Sequence, residues 1–419
     1  MALTQGARTI RQPATPPSPW DTITLEEAPE DKCVPMQNLQ YNSHRVRRLV
    51  FSGIVPSRYY NYTFSSLKEV CLQNIDLFLA EDEVGFDRNL QMFIFLNRHV
   101  ERIDFENMPT LPGNNFWRAV FTHWRKLHEL VVWTESSVTA ESVGMFWRAC
   151  TLPHSISFYK RVVIPRSNVL ATLRFPCIRN LSMRFASVDS KSMGPSDQLT
   201  FFKACTDLKT LSWKVHNYDL RELEFAKALG SGVWPILEGL CFTGTTIPDD
   251  VLSDILLQGT ELRSFMDGTG GFGPRAHAAM KEQHFCNITF LSIAGCPAFM
   301  SPMAQEVLSG CYQLVYFRAD HILVEDILSS FQAWICQALE YLCVSIVKKP
   351  DADTTQDERV CQRIDKLNSL RYLDLRLPHH RPFTAPLPPE YKDRMALDPA
   401  VIMRFPRLAT LRTGKALLV

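Results

Sequence analysis

A six-residue frame, apolar-x-x-apolar-x-apolar, returns along almost all of the 419 residues and limits what this chain can fold into more than any other feature. It reads as Val46, Leu49, Phe51; Leu67, Val70, Leu72; Val100, Ile103, Phe105; Leu127, Leu130, Val132; Ile178, Leu181, Met183; and Leu208, Leu211, Trp213. It goes on as Leu237, Leu240, Phe242; Ile288, Leu291, Ile293; Leu339, Leu342, Val344; and Leu370, Leu373, Leu375. Degenerate copies stand at Leu262 and Phe265, Leu314 and Phe317, Leu408 and Leu411, and near Ile156. Successive copies start 21 to 38 residues apart, with a mean near 28.

The alternating apolar positions that close each frame suit a strand burying one of its two faces. Between frames, a 3.6-residue periodicity predicts helices over 87–97, 115–123, 139–149, 197–204, 219–229, 249–257 and 324–335. Thr139-Ala140-Glu141 and Pro248-Asp249-Asp250 offer capping residues at two of the starts. Cys205, Gly259, Cys311 and Cys336 each precede a frame by three residues, where a small side chain lets a helix return closely to its strand. One strand-turn-helix unit cannot bury its own apolar face, whereas stacked units can. The expectation is an α/β repeat array with a parallel sheet on one side and helices on the other.

This pattern resembles the leucine-rich repeat of the ribonuclease-inhibitor-like type. Leu291-Ser292-Ile293-Ala294-Gly295-Cys296 matches its Cys-containing form, and Asn74 and Asn107 stand near the equivalent ladder position. The resemblance covers residues 44–415 and implies a curved horseshoe solenoid, its parallel sheet on the concave face and its helices on the convex face. Residues 1–18, rich in Pro, Thr and Ser, are expected to be a disordered tail, and 19–43 a linker. Within that linker, Trp20-Asp21-Thr22-Ile23-Thr24-Leu25 resembles the closing segment of an F-box, although residues 1–18 lack the F-box helices. The resemblance implies the substrate-receptor half of a cullin-RING (SCF-type) ubiquitin ligase, with the ligase adaptor as a partner only where an F-box is present. Six prolines across 378–399 predict a long loop before the last frame.

Charge removes one class of function. Lys and Arg number 45 against 44 Asp and Glu, so no surplus draws the whole chain to nucleic acid or to an anionic membrane. With 46% hydrophobic and 21% charged residues the chain has ample core. Its first 20 residues hold no signal-peptide core, and no apolar run approaches a membrane span, so the expected location is cytoplasmic or nuclear. Twelve cysteines without a CxxC pair are then expected to be free and mostly buried.

Enzyme motifs are missing from the sequence: there is no Gly-x-Ser-x-Gly elbow, HExxH or P-loop, so no catalysis, cofactor or metal is expected. His277, His284, His321, His379 and His380 are expected to be surface or loop residues. Gly268-Thr269-Gly270-Gly271-Phe272-Gly273 satisfies GxGxxG and offers the alternative of a nucleotide-binding protein or enzyme. Against that, Pro274 crowds the following helix start and the next strand lacks an acidic residue for a ribose. A plain structural scaffold is a third possibility.

The residues flanking the middle apolar position of each frame should face outward. The position before it gives Arg48, Glu69, Arg102, Glu129, Asn180, Thr210, Gly239 and Ser264, then Phe290, Tyr316, Tyr341 and Tyr372. The position after it adds Arg318 and Asp374. Tyr and Arg on a rigid sheet are the residue types that dominate protein interfaces, so these six, Phe290 to Asp374, form the candidate partner-binding site on the concave face.

Overall fold

The computed structural model describes residues 19–26, 36–53, 55–75, 83–184, 191–215, 221–259, 261–330, 332–348, 354–375, 395–396, 410–413 and 416–418. The expected tail over 1–18 and most of the Pro-rich segment 378–399 lie outside them. The chain divides into two compact units, Met1–Ile178 with Arg184–Gly194, and Arg179–Met183 with Pro195–Val419. Both are mixed α/β, and each is built on a parallel sheet.

In the first unit the strands are β1 (Thr22–Glu26), β2 (Arg48–Ser52), β3 (Glu69–Gln73), β4 (Arg102–Glu106), β5 (Glu129–Val132), β6 (Ser136–Ser137), β7 (Ser155–Phe158) and β8 (Val162–Val163). β1, β2, β3, β4, β5 and β7 pair in that order, all parallel, while β6 and β8 pair with each other. The helices are α1 (Met36–Asn42), α2 (Glu83–Leu96), α3 (Asn114–His123) and α4 (Val143–Ala149). Residues read as a linker therefore supply the first strand, whose Ile23 and Leu25 are buried.

The second unit holds β9 (Asn180–Met183), β10 (Thr210–Val215), β11 (Gly239–Gly244), β12 (Ser264–Gly268), β13 (Phe290–Ser292), β14 (Tyr316–Leu323), β15 (Tyr341–Lys348), β16 (Tyr372–Asp374), β17 (Met395–Ala396), β18 (Thr410–Thr413) and β19 (Ala416–Leu418). β9 to β16 pair in parallel in chain order, and β18 continues the sheet beside β16. β17 lies antiparallel to β15, and β19 antiparallel to β18. Between the strands run α5 (Pro195–Ala204), α6 (Arg221–Gly230), α7 (Asp249–Gln258), α8 (Pro274–Gln283), α9 (Ser301–Gly310), α10 (Val324–Ser329) and α11 (Thr354–Asp365).

Every apolar residue of the ten complete frames is buried. The copy near Ile156 is a true one: Ile156 pairs with Leu130, which makes it the middle apolar residue of a frame opening at Pro153. A backbone rung joins successive strands from β1 to β5 and β7, and from β9 to β16. The carbonyl of the residue just before a strand accepts both N–H groups that open the following one, at 2.7–3.0 Å. Asp21, Arg47, Lys68, Glu101 and His128 do this in the first unit, and Arg179, Lys209, Glu238, Arg263, Thr289, Val315 and Glu340 in the second.

Several local expectations change. Asn74 and Asn107 are exposed, with φ of 55° and 51°, a left-handed conformation that asparagine tolerates. They turn the chain so that Ile75 and Met108 enter the core instead. Their side chains form an outer ladder, Asn107 Nδ2 donating to Asn74 Oδ1 at 2.8 Å. The segment expected over 139–149 turns helical only at Val143, because Thr139 and Ser142 first close a turn through their hydroxyls, 2.7 Å apart. The helix expected over 324–335 stops at Ser329. Beyond it Ile335 N–H donates to Leu308 O and Trp334 Nε1 to Gln305 Oε1, which ties the segment back onto α9. Pro274 does not crowd its helix: it occupies the first turn of α8, where no N–H is needed.

Repeats approach closely at the glycine-rich loop. A Cβ on Gly271 would fall 1.6 Å from the backbone carbonyl oxygen of Ile247 in the preceding repeat. Gly271→Ala should therefore cost about 3 kcal/mol or more, measured by denaturant melts. A melt equal to the parent's would mean that α7 and α8 do not pack at this spacing.

Candidate functional site on the open sheet face

On β13 to β16, residues alternate between the helix-covered face and an open one. Along β14, Phe317 and Ala319 are buried while Tyr316 and Arg318 are half-buried on the open side. Strand register brings the candidate residues together: Phe290 pairs with Tyr316, Tyr316 with Tyr341, and Tyr341 with Tyr372. The rings form one column. Phe290 and Tyr316 stack at 4.4 Å between centroids and 10° between planes, and the next pairs follow at 6.1 Å and 35°, then 5.9 Å and 37°. Tyr341 remains 40% exposed although a ring stands on either side.

The position after the middle apolar residue forms a second column, Arg318, Cys343 and Asp374, again in register. Cys343 was legible at the same offset after Leu342 and belongs with the site. Burial, then Cys343, push the Tyr316 hydroxyl up to about 12, with Arg318 opposing, so this phenol stays protonated through the neutral range. Tyr372 Oη donates to Asp374 Oδ2 at 3.5 Å. The result is a patch of flat rings with polar tips beside a cation, a thiol and a carboxylate. Parallel strands lie about 4.8 Å apart, so the four rings span about 14 Å.

In the first unit the column before the middle apolar residue, Arg48, Glu69, Arg102 and Glu129, is charged instead, and Asp104 adds a carboxylate from the column after it. Arg102 donates to Asp104 and to Glu129, each at 2.9 Å, and Arg48 lies 3.6 Å from Asp104. Asp104 is buried, and its desolvation raises its pKa against the pull of Arg102. Cys71, beside Asp104 on the neighbouring strand, is pushed up to about 12 by its burial and then by Glu106 and Asp104.

At the GxGxxG loop the amides already have acceptors. Asp267 Oδ1 takes the N–H and hydroxyl of Thr269 at 2.8 and 2.6 Å, and its Oδ2 takes the N–H groups of Gly271 and Phe272 at 3.0 and 2.8 Å. Asp249, in the first turn of α7, accepts from Gly273, Arg275 and Ala276 at 2.8–2.9 Å and so caps the neighbouring α8 rather than its own helix. Two carboxylates thus stand where a phosphate would have to lie.

Of the histidines expected at surface or loop positions, His277 and His321 are buried in a helix and a strand, His284 lies in the turn after α8 but is buried, and His379 and His380 lie outside the described residues. Among the described residues no group of three or more His, Cys, Asp or Glu is arranged to hold a metal, and no helix is long and apolar enough to cross a membrane. Seven of the eleven described cysteines are buried and none is in a disulfide. The chain matches no family model and no curated protein.

Burial lowers the pKa of both His277 and His284 from the ordinary 6.5, and the neutral His284 ring bonds through Nε2 to Leu256 O at 2.8 Å. The unfolded chain takes up protons near pH 6.5 that the folded chain refuses. Stability is therefore full above that pH and falls as the pH drops through it toward the lowered folded values. Denaturant melts between about pH 8 and about pH 5 should show that loss, and His284→Gln should lessen it. A pH profile indifferent to the substitution would remove His284 from the account.

Proposed function

We propose that the open sheet face of the second unit is a protein-recognition surface centred on Phe290, Tyr316, Arg318, Tyr341, Tyr372 and Asp374, and that the chain is a non-enzymatic recognition protein of the leucine-rich-repeat kind. The observation that carries this is the in-register column of four rings on adjacent strands, open to solvent and adjoined by both signs of charge. Rigid aromatic side chains lose little conformational freedom when covered, and Tyr and Arg are the side chains on which binding energy concentrates. The bonding of Asp249 and Asp267 to the glycine-rich loop argues against the nucleotide alternative, because a phosphate would have to displace carboxylates from amides they already satisfy. The role of ubiquitin-ligase substrate receptor rests on the Trp20 to Leu25 resemblance, and pull-down with the ligase adaptor tests it separately: binding by the chain, or by a form extended upstream, supports it, and failure of both discards it.

Proximity labelling identifies the partner, and binding isotherms then test the surface. Replacing Tyr316 and Tyr341 together by Ala should cost more than about 2 kcal/mol of affinity, roughly thirtyfold. Leu342, fully buried beneath the column, supplies the contrast: Leu342→Ala should cost about 2–5 kcal/mol of folding stability. If the double variant binds its partner as the parent does, the rings are only a ladder that stiffens the sheet.

A further inference from the structure

The first unit carries a pair of side chains that neither the columns of charge nor the proposed surface uses. His128 and His154 occupy the rung position just before β5 and β7, and their Nδ1 atoms are 3.0 Å apart, with ring centroids 4.9 Å apart and planes at 25°. The backbone sets this approach, since His128 O accepts the N–H groups of His154 and Ser155 at 2.8 and 3.0 Å. In the same column Asp21 pairs with Arg47, and Lys68 with Glu101, as ions. Here two imidazole nitrogens meet instead.

The separation selects a coordination geometry. A first-row divalent ion bound to imidazole at about 2.0–2.1 Å places cis nitrogens about 3.0 Å apart at right angles, and about 3.4 Å apart in a tetrahedron. The first figure is the one seen. We propose that His128 and His154 form a bidentate site for a divalent ion of tetragonal preference, Cu(II) or Ni(II), in favour over Zn(II). His128 is exposed and His154 half-buried, so an ion can reach the pair. The carboxylates at adjoining sequence and column positions are engaged, Glu101 by Lys68 and Glu129 by Arg102. The competing use of the geometry is a hydrogen bond in which one ring donates its Nδ1 proton to the other. Metal binding then requires only that this ring carry its proton on Nε2, with no net release.

Nickel chloride titrated calorimetrically into the full chain, with the exposed Cys286 thiol alkylated first, tests the site. One equivalent should bind. His128→Gln and His154→Gln should each weaken it at least tenfold, the double variant should lose little more than either single one, and Zn(II) should bind less tightly than Ni(II). In the unsubstituted protein, paramagnetic Ni(II) should broaden the imidazole resonances of His128 and His154 before those of other histidines, a readout that stands whether or not a variant folds. Unchanged affinity in a folded variant, or broadening that begins elsewhere, would overturn the proposal and leave a hydrogen bond between two imidazoles only.

Discussion

A backbone carbonyl that accepts two N–H groups from the next repeat is the contact on which both sheets depend. It comes from the residue just before each strand, and it uses no side chain, so the residue type at that position is free to vary: Asp21, Arg47, His128, Thr289 and Val315 all serve. By fixing where each strand starts against its neighbour, it fixes the register of everything after it. A one-residue slip would send every apolar frame residue to the open face. With the register set, side chains at equal offsets must stand in columns, and the chemistry of each open face follows from what the sequence places at those offsets.

The connections vary in length, so the helical side needs bonds that tolerate irregular spacing, and side chains reaching one repeat over provide them. Asp249 caps α8 from the first turn of α7. Trp234 Nε1 donates to Phe202 O, Ser301 Oγ accepts from Leu323 N–H, and the Cys336 thiol donates to Leu308 O at the end of α9. Asn97, buried, accepts from Phe64 N–H and donates to Tyr62 O and Phe93 O, pinning a loop onto α2. Each of these bonds ties a backbone group of a helix end or loop to a side chain, in cases such as Leu308 O and Phe93 O beside a backbone partner.

The same division explains what was legible in the sequence. Strand positions and the open-face columns followed from a period of two, which needs only apolar residues in the right places, and so Phe290, Tyr316, Tyr341 and Tyr372 fell on one line. Cross-repeat bonding leaves no local trace. Asp249 looked like the cap of its own helix because the amides it accepts lie 24–27 residues away, whereas the loop after Gly268 looked like a phosphate cradle although Asp267, which fills it, stands beside it in the sequence. The buried histidines were missed for a related reason: His284 is polar by type, and the Leu256 carbonyl that makes its burial tolerable belongs to the previous repeat. Cys343 was overlooked although the offset rule that gave Arg318 and Asp374 also gave it.

The two kinds of open face differ in how completely they satisfy themselves. In the first unit charges at the outward offsets pair with one another: Arg102 serves Asp104 on its own strand and Glu129 on the next, and Arg48 lies near Asp104 two strands away. Stacked rings do not close on themselves in this way. A column covers ring faces but leaves ring edges open, most of all on Tyr341, and overlap is close only for Phe290 on Tyr316, the later pairs being tilted by 35° and 37° and more widely spaced. A ladder serving the sheet alone would gain about 0.5–1.5 kcal/mol from each close aromatic pair, and two of its three contacts forgo the close overlap of the first. The apolar area left on Tyr341 is what a partner would cover, and rigid rings whose positions the sheet already fixes would lose little further freedom in being covered.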